Sequence, residues 1–417
     1  MNILCITDEY PWPATRGYRI RAANAVRGLA EAGSVDLFCV VSDRPDLQQA
    51  PPQSPYVSRL HVEQRAPFGP SPARLLRWIR GDWPRPVAWR EWEGPKAALL
   101  EWAKPPYDLV WFFACGTWLG LRDQVPGKVI VDLNDLEDDK LLTLMHVAEL
   151  EKREGVVERR FDQRLRRVLG AALDRKDVGR WARVQKLATL EADAVVVCSE
   201  RDRDLLGGSN VEVVPNAYDA PADAVERPQP DEPVFTMVGL LTYPPNADAA
   251  RFFAHQVWPR VRDAVPHARF QLVGRHDGSV GDLDDVPGLE LTGEVADLEE
   301  VFARTTAVVV PLRAGGGTRI KILEAFARRI PVVSTSLGAE GLAVADGVSI
   351  LIGDSPEELA RACIRLVEDS GLARELATRG HELWASRYRG ADARDAVARL
   401  AREYAGQSTP NRGSDSQ

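Results

Sequence analysis

The sequence has few of the features that mark membrane or secreted proteins. It contains no run of about 18 apolar residues, which a membrane-spanning helix would need. Met1 leads directly into the apolar segment 2–7 without a basic leader, so we expect no secretion signal. The five cysteines are odd in number and scattered through apolar segments, which favours a reducing, cytoplasmic compartment over a disulfide or zinc framework.

Positive charge is also in deficit, because 61 acidic residues against 53 basic ones leave a net charge of −8. That balance disfavours non-specific binding to nucleic acid. The 417 residues, 45% apolar and 27% charged, are enough for two or three globular domains.

Lysine is the scarcest of the charged residues. Only 8 of the 53 basic residues are lysine, and Lys321 is the only lysine after Lys186. Where arginine has replaced lysine almost everywhere, a retained ammonium indicates a site that needs a compact charge, as an oxyanion does.

Lys321 lies in the most informative stretch, residues 307–342. An apolar run predicts a buried strand, three glycines (Gly315, Gly316, Gly317) follow, and helical spacing begins near residue 320. A glycine loop between a strand and a helix can close its N–H groups on a phosphate. Arg319, Lys321 and Glu324 are predicted for the first two helical turns. The alternative is a tight structural turn, which is common in α/β chains.

This stretch resembles the nucleotide-sugar-binding motif of glycosyltransferase family 4. The likeness extends upstream through FTMVGLLTYPPNADAARFFAHQVWPRV, FQLVGRHD and LTGEVADLEEVFARTTAVVVPL, and downstream through ILIGDSPEELARACIRLVED. It is strong over most of the second half of the chain and weak over the first. The resemblance implies an α/β chain of the GT-B fold, with two Rossmann-like parallel-sheet domains facing each other across a cleft.

The resemblance also implies a domain plan and an activity. The plan is an acceptor-side domain at 1–215, a linker at 216–232, a nucleotide-sugar-binding domain at 233–386, a helix crossing back at 387–405 and a disordered tail at 406–417. The implied activity is retaining transfer of a hexose from a UDP-, GDP- or dTDP-sugar to a hydroxyl acceptor. The acceptor would be a saccharide, a lipid-linked saccharide or a small natural product, and the nucleotide-sugar is a substrate, so no cofactor is expected.

Site residues are carried over where the sequence matches the motif, and Arg319 and Lys321 are inferred to replace, from the other side of the same cleft, a cationic pair that the family has and this chain lacks. Lys321 and Arg319 are predicted to stabilise the departing diphosphate, and Glu324 to hold the ribose hydroxyls. The remaining residues predicted to bind the donor are Gly239, Gly316, Gly317, Thr318, Gly17 and Asn246. No metal is expected, because fixed cations supply the charge. Two Asp-x-Asp strings, at 202–204 and 282–284, are expected by chance in so acidic a chain, and we predict that Asp202 and Asp204 are exposed.

The sequence also departs from the family pattern. Many relatives carry Arg directly after the glycine at 239 and Lys a few residues later, but this chain has Leu240 there. The Glu-x7-Glu pair would need a carboxylate at Gly316, so only Glu324 is present. A non-catalytic sugar-nucleotide-binding scaffold or sensor therefore stays open. An oxidoreductase is disfavoured, because no G-x-G-x-x-G follows the first strand.

On the acceptor side, Asn134 and Asp135 follow an apolar strand, where open α/β sheets place ligands. Asn134 cannot act as an acid or base, so Asp135 is the predicted polar group, with Asp132 as an equal alternative. The arginines of the first loop, Arg16, Arg19 and Arg21, are equally consistent with a structural role.

Two basic regions leave peripheral membrane contact open. Five tryptophans between residues 78 and 102 are consistent with an acceptor wall or a membrane interface, but packing is favoured slightly. Residues 151–186 carry twelve basic and six acidic side chains. A solvated face is the favoured interpretation there.

Overall fold

A computed structural model describes residues 1–41, 54–65, 68–153, 161–220, 232–278, 280–295, 297–317 and 319–406. The chain divides into two compact units. Unit 1 comprises Met1–Asp139, Arg160–Pro215 and Gly390–Gln417, and unit 2 comprises Lys140–Arg159 and Asn216–Arg389. Most of the predicted linker and tail fall on 221–231 and 407–417, outside the described residues.

The first half of the chain alternates strands and helices, as predicted. Its elements are β1 Asn2–Thr7, α1 Gly17–Ala32, β2 Ser34–Val41, β3 Arg59–Gln64, α2 Pro72–Arg80, α3 Arg85–Ala88, α4 Glu93–Trp102, β4 Leu109–Phe113, α5 Cys115–Leu121, β5 Lys128–Asp132, α6 Glu137–Arg153, α7 Phe161–Glu191, β6 Ala194–Val197, α8 Glu200–Leu206 and β7 Val211–Val213. The seven strands form one parallel sheet in the order β3-β2-β1-β4-β5-β6-β7.

The second half repeats this architecture around a six-stranded parallel sheet ordered β10-β9-β8-β11-β12-β13. Its elements are β8 Val234–Val238, α9 Pro244–Phe252, a π-helical turn Phe253–Val257, α10 Trp258–Ala264, β9 Arg269–Val273, a 3-10 turn Gly281–Leu283, β10 Leu289–Gly293, α11 Leu298–Arg304, β11 Ala307–Val310, α12 Ile320–Ala327, β12 Val332–Ser334, β13 Leu351–Ile352, α13 Pro356–Glu368, α14 Ser370–Arg387 and α15 Gly390–Gly406.

The inner strands of both sheets are mostly apolar, as expected of parallel sheets whose two faces are covered by helices. Strand β1 buries Ile3, Leu4, Cys5 and Ile6 completely, and β11 buries all four of its residues. Near-continuous apolar runs of this kind are typical of parallel strands with helices on each side. The five cysteines are free and buried. None of the described helices is long and apolar enough to cross a membrane.

Helix α15, the last described element, packs within unit 1 against α1. A Cβ at Gly28 of α1 would stand 2.5 Å from the carbonyl oxygen of Arg394, so the two helices touch through their backbones. Arg394 also donates to Asn24 Oδ1 at 3.0 Å. The C-terminal helix is therefore part of the same unit as the N-terminal strand.

A buried ion pair ties α1 to the centre of the unit 1 sheet. Arg21 Nη2 lies 2.9 Å from Asp132 Oδ1, and Arg21 Nη1 donates to the carbonyl of Val214 at 2.8 Å. Both side chains are nearly inaccessible to solvent. Burial raises the pKa of Asp132, and the Arg21 charge opposes that rise. Arg21 thus has the structural role that the sequence left open.

Three local features differ from or refine the sequence predictions. Strand β3 was missed, because its alternating residues RLHVEQ lie only half-buried at the sheet edge. The predicted exposure of Asp202 is wrong: it is 6% exposed and hydrogen bonds to the N-capping Ser199 of α8. The packing interpretation holds for Trp78 and Trp92, which are buried.

Candidate functional site

The glycine loop of unit 2 connects β11 to α12, as the sequence predicts. Gly315 has φ 123° and Gly317 has φ 66°, which are conformations that glycine adopts without strain. Helix α12 begins at Ile320 with Arg319 as its N-cap, and the Arg319 side chain makes no capping hydrogen bond to the first turn. The first helical N–H groups are consequently not capped by that side chain. Thr318 lies outside the described residues.

Lys321 projects from the first turn of α12 towards the end of β8. Its Nζ donates to Asn246 Oδ1 at 3.0 Å, and Asn246 Nδ2 donates to the carbonyl of Leu240 at 3.0 Å. A Cβ at Gly239 would stand 2.9 Å from Asn246 Nδ2 and 3.2 Å from Lys321 Nζ. Three predicted residues, Gly239, Asn246 and Lys321, therefore converge, and glycine at 239 leaves the space that the ammonium needs.

Gly239 in turn depends on a second glycine at the end of β9. Gly274 has φ 144°, and a Cβ there would overlap the carbonyl oxygen of Gly239. The N–H of Gly239 donates to the carbonyl of Val273 at 2.9 Å. The backbones that follow β8 and β9 therefore lie in direct contact at Gly239 and Gly274, next to Lys321.

The side chains of Lys321 and Glu324 on α12 are both desolvated, and this shifts the pKa of each. Desolvation, reinforced by the Arg319 charge, lowers the pKa of Lys321 to about 8. Desolvation also raises the pKa of Glu324 to about 7, against the opposing charges of Arg328 and Lys321. An anionic ligand beside Lys321 would restore an ordinary lysine pKa.

The buried Arg319 side chain is hydrogen bonded to the glycine loop that precedes it. Its guanidinium Nη1 donates to the carbonyl oxygens of Gly316 and Gly317, and the residue is 8% exposed. Its positive charge stays close enough to act on Lys321. The structure thus gives Arg319 a contact with the loop carbonyls, a role additional to the phosphate contact predicted for it.

Helix α6 supplies two loop contacts that the sequence did not indicate. Thr143 Oγ1 accepts from the N–H of Gly315 at 2.9 Å. A Cβ at Gly316 would stand 2.8 Å from the Cβ of Lys140. The stem of Lys140 therefore occupies the space beside Gly316, where the family pattern would place a carboxylate. No local signal could reveal contacts between residues more than 170 positions apart.

A network at the end of α12 supports Glu324. Arg328 donates through Nη1 to the carbonyl of Glu324 at 3.0 Å, through Nη2 to the Tyr218 hydroxyl at 2.9 Å, and to the carboxylate of Glu299. Its guanidinium also lies 4.6 Å from the ring centroid of Phe302.

The start of the glycine loop is held by an ion pair. Arg313 Nη2 lies 2.7 Å from Oδ1 of the buried Asp248.

The acceptor-side residues lie at the carboxyl end of β5 in unit 1. Asp132 Oδ1 accepts from Arg21 and, at 3.0 Å, from the N–H of Asn134, so its bonds lie within the unit. Asn134 has φ 63°, and Asp135 is half-buried. Gly17 is the first residue of α1. The neighbouring loop arginines, Arg16 and Arg19, both pair with Glu9.

The two Asp-x-Asp strings have contacts of their own. Asp202 bonds to Ser199, and Asp282 pairs with Arg251 at 3.0 Å. Among the described residues, no three His, Cys, Asp or Glu side chains are grouped as metal ligands would be.

Comparisons with known proteins agree with this architecture. Residues 232–369 match the family model described as Glycosyl transferases group 1. No curated protein matches the chain. Sucrose-phosphate synthase from Thermosynechococcus elongatus has a similar structure, with TM-score 0.67 and 18% identity over 97% of this chain and 99% of that one.

Two further solved structures are similar over nearly their whole length. Anabaena HepE in complex with UDP and glucose gives TM-score 0.60 and 16% identity, covering 95% of this chain and 98% of that one. WaaG, a glycosyltransferase involved in lipopolysaccharide biosynthesis, gives 0.58 and 14%, covering 98% and 100%. At these identities the likeness is one of fold. The chain has two Rossmann-like domains of the GT-B type, and residues 232–369 are similar to group 1 glycosyl transferases.

Replacing Gly274 should test the backbone approach beneath Lys321. We expect Gly274→Ala to lower the free energy of unfolding by about 4 kcal/mol, because the new Cβ adds a backbone clash to the strain of a positive φ. Gly278→Ala is the matched control: φ is 82° there, but no atom lies within 4 Å of the added Cβ. It should cost about 1 kcal/mol. Urea unfolding measures both, and equal costs would contradict the close approach.

Proposed function

We propose that this protein is a glycosyltransferase that moves a sugar from a nucleotide-sugar to a hydroxyl acceptor. The observation that carries the proposal is the desolvated ammonium of Lys321, held by Asn246 above Gly239 at the mouth of a glycine loop. The group 1 glycosyltransferase domain at residues 232–369 supports it.

Lys321 and Arg319 would stabilise the leaving diphosphate. As the anomeric bond breaks, negative charge grows on the diphosphate oxygens, and fixed cations stabilise that charge more in the transition state than in the ground state. With a pKa of about 8, Lys321 carries its proton at neutral pH. The loop N–H groups, with Gly316, Gly317 and Thr318, would complete the phosphate cradle.

Glu324 would accept hydrogen bonds from the ribose hydroxyls. That role needs the ionised carboxylate, whereas burial raises the Glu324 pKa to about 7. Arg328 and Lys321 lie near enough to favour the ionised form. Arg328 also fixes the backbone of Glu324 through its carbonyl.

Unit 1 would bind the acceptor. Of the residues at the end of β5, Asp135 is the proposed polar group, with Asn134 beside it. Asp132 would act through Arg21 and the Asn134 N–H, to which it is bonded. Gly17 would line the donor. Retention of anomeric configuration and hexosyl transfer follow from the resemblance to family 4. The UDP and UDP-glucose bound to HepE favour a UDP-sugar as the donor.

A non-catalytic nucleotide-sugar-binding scaffold is the second candidate. It is favoured by one observation, the stem of Lys140 against Gly316 where a catalytic-pattern carboxylate would stand. Both candidates bind the donor, but only the enzyme releases a nucleoside diphosphate.

Diphosphate release by the wild type separates the two candidates, and Lys321→Ala tests the role of the ammonium in that release. We expect kcat for nucleoside diphosphate release to fall about 100-fold, because one fixed oxyanion-stabilising donor is lost. In the wild type, kcat/KM should rise with pH as Glu324 ionises near pH 7 and fall as Lys321 loses its proton near pH 8. In Lys321→Ala, the fall of kcat/KM near pH 8 should be absent, because no lysine deprotonates there.

The matched control is Lys186→Ala, which removes an exposed lysine from α7. It should leave the rate and the pH profile unchanged. A panel of nucleotide-sugars, screened by thermal stabilisation, identifies the donor beforehand. If wild-type protein binds a donor but releases no diphosphate with any acceptor, the scaffold is correct and the transferase proposal is wrong.

We further propose that transfer requires no divalent metal, because Lys321 and Arg319 provide the positive charge. Turnover should therefore continue at an unchanged rate, within about twofold, after dialysis against EDTA. Diphosphate release before and after chelation measures this. Loss of activity on chelation, with recovery on adding Mg²⁺, would overturn metal independence without touching the transferase assignment.

We also propose a cytoplasmic location with peripheral membrane contact through α2. The free, buried cysteines suit a reducing compartment. Leu75, Leu76 and Ile79 share one face of α2 and are 40%, 45% and 53% exposed. Three arginines and no carboxylate lie in residues 68–80, so an anionic lipid surface complements both the apolar face and its charge.

The α2 face can be tested with vesicles. The double variant Leu76→Ser, Ile79→Ser should bind phosphatidylglycerol-containing vesicles about tenfold more weakly than wild type, because less apolar surface leaves water. Leu205→Ser, at a 57% exposed position on α8, is the control. Co-sedimentation measures binding. Equal binding by all three proteins, or equal binding to neutral phosphatidylcholine vesicles, would contradict the proposal.

A further inference from the structure

Unit 1 contains a buried arginine whose charge has no counter-ion among the described residues. Arg65 follows β3 directly and is 3% exposed. Its Nη1 is buried without a hydrogen-bond partner. Its guanidinium lies 5.6 Å from the ring centroid of Trp92, which is also buried. Enclosing a guanidinium in this way costs free energy unless an anion or acceptor compensates it.

A second arginine makes the imbalance larger. Arg90, half-buried in the turn after α3, lies close enough to Arg65 to repel it. Burial first, and then this repulsion, lower the pKa of Arg65 to about 10. Two neighbouring cations from separate elements are thus held together without a paired carboxylate in the described part of the chain.

In the described part of the chain, the two carboxylates whose charges act on Arg65 are bonded to other groups. The Asp8 carboxylate accepts from the Tyr18 hydroxyl, and the Glu9 carboxylate pairs with Arg16 and Arg19. Asp8 and Glu9 only partly offset the fall in the Arg65 pKa. Among the described residues, the carboxylates that act on Arg65 therefore already bond to side chains of α1 and of the loop before it.

Arg65 directly follows β3, at the carboxyl end of that strand. Its N–H donates to the carbonyl of Val41, the last residue of β2, so Arg65 stands at the carboxyl edge of the sheet. Open parallel sheets bind ligands along that edge. Arginine is suited to this task, because its planar fork binds phosphate or carboxylate through two parallel hydrogen bonds.

We infer that Arg65 and Arg90 form a subsite for an anionic group, phosphate or carboxylate, of the acceptor. The assignment of the anion to the acceptor rests on the proposed function, whereas anion binding itself does not. Trp92 would hold the Arg65 guanidinium plane in place, and the anion would supply the missing counter-charge. Acceptors that carry such a group would then be preferred over neutral ones.

Thermal unfolding at constant ionic strength tests the subsite. The probes are inorganic phosphate, glucose 6-phosphate, gluconate and glucose. Wild-type Tm should rise with phosphate and glucose 6-phosphate in a dose-dependent way, and not with glucose. A rise with gluconate as well would support an anion site open to carboxylates, and no rise with gluconate would support one restricted to phosphate.

Variants identify where the anion binds. Because the proposed donor site also binds phosphate, the test is made in a Lys321→Ala background. There Arg65→Met should abolish the remaining phosphate-induced rise, and its ligand-free Tm should equal or exceed that of the Lys321→Ala parent, because a desolvated cation has been removed. Arg65→Gln, a second neutral replacement, should behave alike. Arg203→Met removes an exposed arginine of α8 and should retain the shift. Lys321→Ala alone should retain the part of the shift that depends on Arg65, which separates this subsite from the donor site.

Two results would overturn the inference. One is a phosphate shift that survives in both Arg65 variants when Lys321 is also replaced by alanine. The other is the absence of any anion shift in wild type together with a lower ligand-free Tm in those variants, which would make Arg65 a structural residue. Thermal unfolding with UDP tests the donor site separately. If UDP does not raise the wild-type Tm while the Arg65-dependent phosphate shift is present, the donor proposal is wrong and the anion subsite is supported.

Discussion

The candidate site depends on the space that glycine leaves at position 239 for the Lys321 ammonium. A Cβ at 239 would crowd that ammonium, and a Cβ at Gly274 would overlap the carbonyl oxygen of Gly239. Asn246 then holds the ammonium in place through one amide oxygen while its nitrogen bonds the Leu240 carbonyl. The result is a desolvated cation fixed before any ligand arrives. Such preorganised charge stabilises a developing anion without reorganisation during the reaction.

The loop beside that cation is held from several sides. Arg319 donates to two of its carbonyls, Thr143 binds Gly315, and the Arg313–Asp248 pair fixes its start. A glycine-rich loop gains flexibility from its lack of side chains, so these contacts serve to hold one conformation. Side chains distant in sequence thus supply the rigidity that the glycines do not.

Much of this was predictable from local sequence. The apolar strands, the glycine loop and the cluster of Lys321, Arg319 and Glu324 each occupy one short stretch with a clear period. The sequence did not reveal β3, whose edge position gives a mixed pattern, or the burial of Asp202, which follows from capping α8. Nor could it reveal Thr143 and Lys140 at the loop, or the unpaired environment of Arg65. Those features arise from packing between elements far apart in the chain.

The departures from the family pattern then form one connected change. This chain has Leu240 after Gly239, and Asn246 and Lys321 lie beside that glycine, so the ammonium comes from α12 and not from the segment after β8. At Gly316, where the pattern would place a carboxylate, the stem of Lys140 packs instead, so the loop has no negative charge there that would repel an anionic ligand. Desolvation, and after it the Arg319 charge, lower the pKa of the Lys321 ammonium. A nucleoside diphosphate is the kind of ligand that such a site favours, because its charge both pairs with the cations and relieves their mutual repulsion.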